Sequence, residues 1–402
     1  MAGAPLPAES FAAVRRHLLL DCCKWDSQIG DVCTLANFPL IMRSAVWRLL
    51  AAMTETLSAE ALAAEAELLR TPELLECLGL PRSICRILQS TKRTGPTRAA
   101  ARVMRFDFHL TTDGWRISEV NSDVPGGFTE ASSFTQLLAA HYAGAQPAGD
   151  PVTAWCDALA QSAGEIGAIA LLSAPGFMED HQIMAYLARR LNAQGYETHL
   201  ANPLQLEWRD GIASMISDPR HTPLAAIVRF YQGEWLARLP EACGWSNFFC
   251  GGRTPVGNPG SAIISESKRF PLAWDDLQTP LPAWRKLLPE TRDPRDVPWE
   301  TDDTWLLKSA FCNTGDTVSI RSLLPSQQWQ SVAREVRRRP QDWVAQKRFQ
   351  TLAVNTPAGP LYPCIGVYTI NGQVAGAYAR VAPRQLIDFA AIDIALLVEN
   401  FL

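Results

Sequence analysis

The chain has 402 residues, 47% of them apolar and 19% charged, with a net charge of −4. That is enough chain for two or three lobes around a large core, and the acidic balance speaks against a nucleic-acid partner, which draws a basic footprint. No run approaches the roughly 18 apolar residues of a membrane span. Leu18-Leu19-Leu20, bracketed by Arg15, Arg16 and Lys24, is too short for a signal peptide. The ten cysteines show no CxxC and no zinc spacing, so they read as reduced residues of a cytoplasmic protein.

Residues 1–100 read as a helical region, since Leu57 to Arg70 is dense in strong helix formers and Pro72 stands just beyond. Residues 101–160 open on a hairpin. Arg105 to Leu110 runs cleanly at the strand period and Trp115 to Asn121 less cleanly, and Thr112-Asp113-Gly114 suits a three-residue loop whose last position needs positive φ. Pairing Thr111 with Trp115 puts Asp107 opposite Glu119 and Arg105 opposite Asn121, on one face. Facing carboxylates repel across a ladder. A divalent cation turns that liability into a site, and Asp, Glu and Asn oxygens are the hard ligands Mg²⁺ accepts. A solvated hairpin with ordinary surface charges would show the same residues. Asp123-Val-Pro-Gly-Gly127 then leads into a helix from Thr129 to Tyr142. With Thr129 as cap, that helix start would offer free N–H groups to phosphate. Gly144 to Pro151 reads as a connection.

Residues 161–260 change character. A buried strand from Ile166 to Ser173, a helix from about Asp180 to Gln194 and a strand from Tyr196 to Leu200 make the unit of a parallel sheet. Ala225 to Tyr231 adds a strand, while His181 and His199 read as structural or surface residues. Gly251 to Gly260 is a turn-rich break, and Pro280 to Pro298 reads as a surface connection. Residues 261–402 then run strand (Trp305 to Ser309), loop, strand (Val318 to Arg321), helix (Gln327 to Arg338), strand (Trp343 to Phe349). A hairpin turning at Asn371-Gly372 follows. The helix ends on the cationic Arg337-Arg338-Arg339. No phosphate-binding glycine motif follows a strand. What remains is a series of cations: Lys268, Lys308 beside the loop Cys312-Asn-Thr-Gly-Asp316, Gln346-Lys347 and Arg380. Lys308 alone reads equally as an edge lysine and Lys268 as a surface one. Their order along the chain is more telling than any member.

In that order the chain resembles the synthetase part of glutathionylspermidine synthase, of the circularly permuted ATP-grasp superfamily. The segments that carry the likeness are Arg105-Phe-Asp107 with Glu119-Val-Asn121, Asn258-Pro with Lys268, and Trp305-Leu-Leu-Lys308 with Gly315. Val344-Ala-Gln346-Lys347 and Gly366 to Arg380 follow, and the middle region, Met178-Glu-Asp180 with its strand–helix–strand and Phe230 to Trp235, also fits. The resemblance implies a mixed α/β fold with ATP-grasp-like lobes, an inserted parallel strand–helix–strand domain and a helical N-terminal region. On that reading residues 101–160 carry the metal-binding hairpin, 161–260 the preATP-grasp-like domain and 261–402 the nucleotide-binding lobe. It implies a carboxylate–amine ligase using ATP and Mg²⁺ through an acyl phosphate, acting on a small-molecule or peptide carboxylate and an amine. Asp107, Glu119 and Asn121 would hold Mg²⁺. Lys268, Lys308 and Gly315 would meet ATP phosphates, Arg105 and Arg380 the acyl phosphate. Gln346, Lys347, Leu386 and Ile387 would flank adenine, and Asp393 would meet the amine. Two positions depart from the pattern: the loop after Lys308 lacks its basic residue, and Ala390 stands where a lysine is expected. A degenerate ATP-binding scaffold and a kinase on the same fold remain as alternatives.

Overall fold

Asn371 and Gly372 both take positive φ, 51° and 84°, the turn whose twist matches two antiparallel strands. They join Gly359–Ile370 to Gln373–Ala382 in the computed structural model, which describes residues 1–29, 32–164, 167–311, 318–388 and 390–400. This hairpin is the middle of a six-stranded antiparallel sheet. Ile392–Ile394 lies on one side, the hairpin Val103–Thr111 and Gly114–Asn121 on the other, and Val354–Thr356 pairs at the end of Gly359–Ile370. One face of this large sheet is core. Met104, Phe106, Phe108 and Val367 pack with Leu50, Leu57, Ala61, Ala64 and Leu68, the apolar stripe of the helix Ser44–Arg70. The other face carries Arg105, Asp107 and His109 into a cavity of about 510 Å³.

A second antiparallel sheet runs Thr291–Arg292, Trp343–Lys347, Trp305–Ser309, Val318–Ser319. Trp305, Leu307, Trp343 and Ala345 form a separate core under the helix Ser326–Arg338. The alternate positions Leu306, Lys308 and Gln346 face the cavity. A parallel sheet closes a third side, in the order Val256–Gly257, Ala226–Phe230, Ile169–Ser173, Thr198–Ala201. The chain leaves Ile169–Ser173 through the helix Met178–Ala193 to one neighbour and returns to the other. The strand order therefore reverses between Ile169–Ser173 and Ala226–Phe230, where open α/β sheets bind ligands at their carboxyl ends. Among the described residues no helix is long and apolar enough to cross a membrane.

Several expectations change. Leu40–Met42 pairs with Leu396–Glu399, which pairs with Ala145–Pro147, so the N-terminal quarter is not purely helical and Gly144 to Pro151 is more than a connection. Val256–Gly257 makes the supposed break an edge strand. Pro280 to Pro298 is not a surface connection: Pro282 starts a short helix that buries Trp284 against Phe106 and Phe270. The helix after the glycine pair spans 128–139 with Thr129 inside it, at φ −64°, so Thr129 is no cap. Positive φ at Gly127 lets the chain enter that helix without one.

Candidate functional site

The hairpin turn is tighter than expected. Thr111 pairs with Gly114, not Trp115, and counting from there would put Glu119 out of register. A bulge at Ser118 restores it, so Asp107 does face Glu119 and Arg105 faces Asn121. The bulge has its own use: the Ser118 carbonyl accepts from Lys308 Nζ at 2.9 Å, and its hydroxyl meets His109 Nε2 at 3.1 Å.

Arg105 grips Asp107 in a two-pronged pair, Nε to Oδ1 at 2.7 Å and Nη2 to Oδ2 at 2.9 Å, and donates to the Gly126 carbonyl. Asn121 Nδ2 also donates to Asp107, at 3.2 Å. Burial works to raise the Glu119 pKa, but Lys268, Lys308 and Arg105 together bring it down to about 2. Two carboxylates and an amide thus converge at one wall of the cavity, a hard-oxygen set suited to Mg²⁺. Among the described residues no group of three or more His, Cys, Asp or Glu side chains could hold a metal ion.

The loop behind the hairpin is fixed from three directions. Asp123 pairs with Arg229, both fully buried, and accepts from Gly233 N at 2.7 Å. Glu266 accepts the N–H groups of Ser122 and Asp123, and Asn258 Nδ2 donates to both their carbonyls. A side chain at Gly127 would meet Tyr378 at 2.6 Å.

The predicted phosphate and base residues divide. Lys308, on Trp305–Ser309, is buried and lines the cavity across from the hairpin. Gln346 lines it too, donating to Thr291 Oγ1 at 2.9 Å, and so do Leu386 and Ile387. Lys268 is no surface lysine. It is buried behind Glu119, 3.4 Å from that carboxylate and 3.2 Å from Glu266, in a small pocket next to the main cavity. Lys347 turns the other way, because adjacent strand residues point to opposite faces. Its ammonium lies 4.2 Å over the Trp305 ring and 3.3 Å from Asp302, outside the cavity. Gly315 lies outside the described residues.

The far end of the cavity is acidic. Arg380 and Asp393 meet there at 3.7 Å. Asp26, Glu130, Glu179 and Asp180 join them with one buried lysine, Lys24. Burial pushes Asp393 up to about 7, helped by Glu130 and opposed by Lys24 and Arg380. Burial and then Glu179 push Asp180 to about 7 as well. Glu179 and Asp180 follow Ile169–Ser173, while Gln232 and Trp235 follow Ala226–Phe230, so this end lies at the reversal of the parallel sheet. The sequence reading missed Lys24, Glu130, Glu179 and Asp180 as site residues. They come from three separate segments with no shared motif. His181 rests on Trp25 and His199 lies beside Glu197, both away from the cavity.

A family model described as glutathionylspermidine synthase preATP-grasp matches residues 40–392. No curated protein matches. Among solved structures, a glutathione synthetase-like effector from Globodera pallida, in apo form, aligns over 96% of this chain and 96% of that chain at 13% identity and a TM-score of 0.64. A putative γ-glutamylcysteine synthetase from Methylobacillus flagellatus covers 84% of this chain and 88% of its own at 12% identity, with a TM-score of 0.42. The likeness to the effector is one of fold.

Proposed function

The chain belongs to the glutathionylspermidine synthase preATP-grasp family, in the circularly permuted ATP-grasp superfamily, and from that premise we propose that it joins a carboxylate to an amine at the expense of ATP, through an acyl phosphate. The observation that carries this reading is one cavity with three chemically distinct walls. The paired carboxylates Asp107 and Glu119 face Lys308, Arg105 grips Asp107, Arg380 lies at the far end beside Asp393, and that end is acidic. A cavity of about 510 Å³ matches the size of a small-molecule site.

Asp107, Glu119 and Asn121 would hold Mg²⁺, which would neutralise charge on the nucleotide's phosphate oxygens. Lys308 supplies a fixed cation on the opposite sheet for the phosphoryl group in transit. Phosphoryl transfer depends on such preorganised positive charge more than on a protein nucleophile. Lys268 acts one step back: its ammonium holds Glu119 ionised and in place rather than reaching the phosphates. Leu386, Ile387 and Gln346 offer an apolar slot with one polar edge to adenine. The guanidiniums of Arg105 and Arg380 would steady the acyl phosphate. In the chemistry proposed, a substrate carboxylate oxygen attacks the γ-phosphorus and ADP leaves; the amine nitrogen then attacks the acyl carbon, and phosphate leaves with that oxygen. Glu179, Asp180 and Asp393 suit the cationic part of the amine. The substrates would be small molecules or a peptide carboxylate, and the protein would work in the cytoplasm.

Release of ADP and phosphate, measured with acids and amines supplied singly and in pairs, tests the proposal. A ligase turns over only with both substrates. Turnover with the acceptor alone would identify a kinase, and nucleotide binding without any turnover a scaffold.

A further inference from the structure

Tyr378 is buried on the strand Gln373–Ala382, yet it lines the cavity. Across the large sheet it shares one row with Gly366, Asp107 and Glu119, each directly opposite the next. Arg380 lies two residues along the same strand, on the same face, with Asp393 opposite it. Tyr378 therefore stands between the facing carboxylates and the acidic end. Gly366 makes the space: a Cβ there would come within 2.8 Å of Arg105 and 3.0 Å of Tyr378. Over that gap the Arg105 guanidinium lies 5.8 Å from the centre of the Tyr378 ring.

Most donors around this point already have partners. Arg105 donates through Nε, Nη1 and Nη2 to Asp107 and Gly126, and Arg380 donates through Nη2 to the Asp388 carbonyl. The hydroxyl of the neighbouring Tyr368 donates to the Gly126 carbonyl at 2.6 Å. The Tyr378 hydroxyl is different: among the described residues it has no hydrogen-bond partner. Burial raises its pKa, so it keeps its proton near neutral pH. A buried hydroxyl left without a partner costs free energy that a ligand oxygen would recover.

Resting on the ligase reading, we propose that Tyr378 is a catalytic residue whose hydroxyl donates to the substrate's acyl carbonyl oxygen as the amine attacks. The acyl carbon has to lie between the phosphoryl group, beside the carboxylate pair, and the amine at the far end, and Tyr378 occupies that stretch of the sheet. As the neutral nitrogen bonds to the acyl carbon, the π pair of the carbonyl moves onto its oxygen and negative charge grows there. The C–O bond to phosphate then breaks with its electron pair as the carbonyl re-forms, and the proton lost by nitrogen leaves on the phosphate. A fixed neutral donor stabilises the oxygen most when its charge is greatest. In the earlier step the carboxylate is phosphorylated and charge leaves that oxygen, so the hydroxyl gives no help there.

Tyr378→Phe removes the hydroxyl, keeps the ring and breaks no hydrogen bond among the described residues, so the fold should hold. Rapid-quench kinetics on the full chain with ATP and Mg²⁺ read the two steps separately. Glutathione and spermidine are the first acid and amine supplied, followed by whichever pair releases ADP most productively. ADP formation in the first turnover should stay within about twofold of wild type, while amide formation falls about 100-fold, the cost of removing one such donor. Equal loss in both steps would move the hydroxyl to phosphoryl transfer or to the placement of Arg105, and unchanged amide formation would leave it no part in the reaction. Either result overturns the proposal. A wild type that turns over with no pair, or with the acid alone, removes the ligase reading and this role together, a failure visible before the variant is made.

Discussion

Asp107 and Glu119 stand directly opposite each other on neighbouring strands, and each is matched by a different cation: Arg105 in a two-pronged pair with Asp107, Lys268 at 3.4 Å from Glu119. The repulsion between facing carboxylates is relieved from both sides. Glu119→Gln keeps the shape and removes one charge, so turnover of ATP should fall by about 100-fold or more, and Asp107→Asn should lose turnover equally. Each variant should also cost on the order of 1–3 kcal/mol in stability, because Lys268 and Arg105 respectively lose a carboxylate partner. Steady-state phosphate release and thermal unfolding, measured on both variants, check this. Near-normal turnover in Glu119→Gln would remove it from the metal set.

Lys308 and Lys347 form a matched pair of controls on two adjoining strands. Lys308→Met should reduce ATP turnover strongly, since its ammonium faces the cavity across from the hairpin. Lys347→Met should leave turnover within about twofold and cost roughly 0.5–1 kcal/mol, the worth of a partly exposed contact with Trp305 and Asp302. Equal loss in both variants would contradict the assignment of faces.

The raised pKa of Asp180, about 7, carries a sign that can be read in stability. Burial and Glu179 hold its proton more tightly in the folded chain than in the unfolded one, whose value is near 3.8. Stability is therefore fully present below the unfolded value and is lost as pH rises through the folded one. Asp180→Asn removes that loss. It should raise the unfolding midpoint at pH 8, by on the order of 1 kcal/mol because the side chain is partly solvated, and leave it unchanged near pH 3.5. Equal effects at both pH values would mean that the proton is not involved.

Gly127 has φ of 84° and a Cβ position 2.6 Å from Tyr378 and 2.7 Å from the Tyr368 hydroxyl. Gly127→Ala combines backbone strain with overpacking of a buried aromatic pair. A loss of about 2–4 kcal/mol in denaturant unfolding is expected. Gly114→Ala is the milder comparison, since it has similar φ but open space around the Cβ position.

The strands of the last lobe were legible because each is a local pattern with its own punctuation. Trp305 to Ser309 and the hairpin at Asn371-Gly372 fall where alternation and turn chemistry put them. The facing of Asp107 and Glu119 was reached by counting from a loop that proved one residue too long, and the bulge at Ser118 cancelled the error. The bulge falls in Trp115 to Asn121, the less cleanly alternating of the two runs, but irregular alternation alone does not place the extra residue. The outward turn of Lys347 was readable, since Gln346 and Lys347 cannot share a face of one strand. The burial of Trp284 was hidden by the prolines around it. The pairing of Leu40–Met42 with Leu396–Glu399 and the assembly of Lys24, Glu130, Glu179 and Asp180 lie beyond any local signal. They depend on which segments the fold brings together.

The acyl-phosphate route is tested most directly with a carboxylate substrate labelled with ¹⁸O, once a productive acid and amine are in hand. Phosphorylation of a carboxylate oxygen and its departure as phosphate should carry one ¹⁸O atom into the released inorganic phosphate for every amide formed. Phosphate emerging unlabelled from a productive reaction would contradict the account.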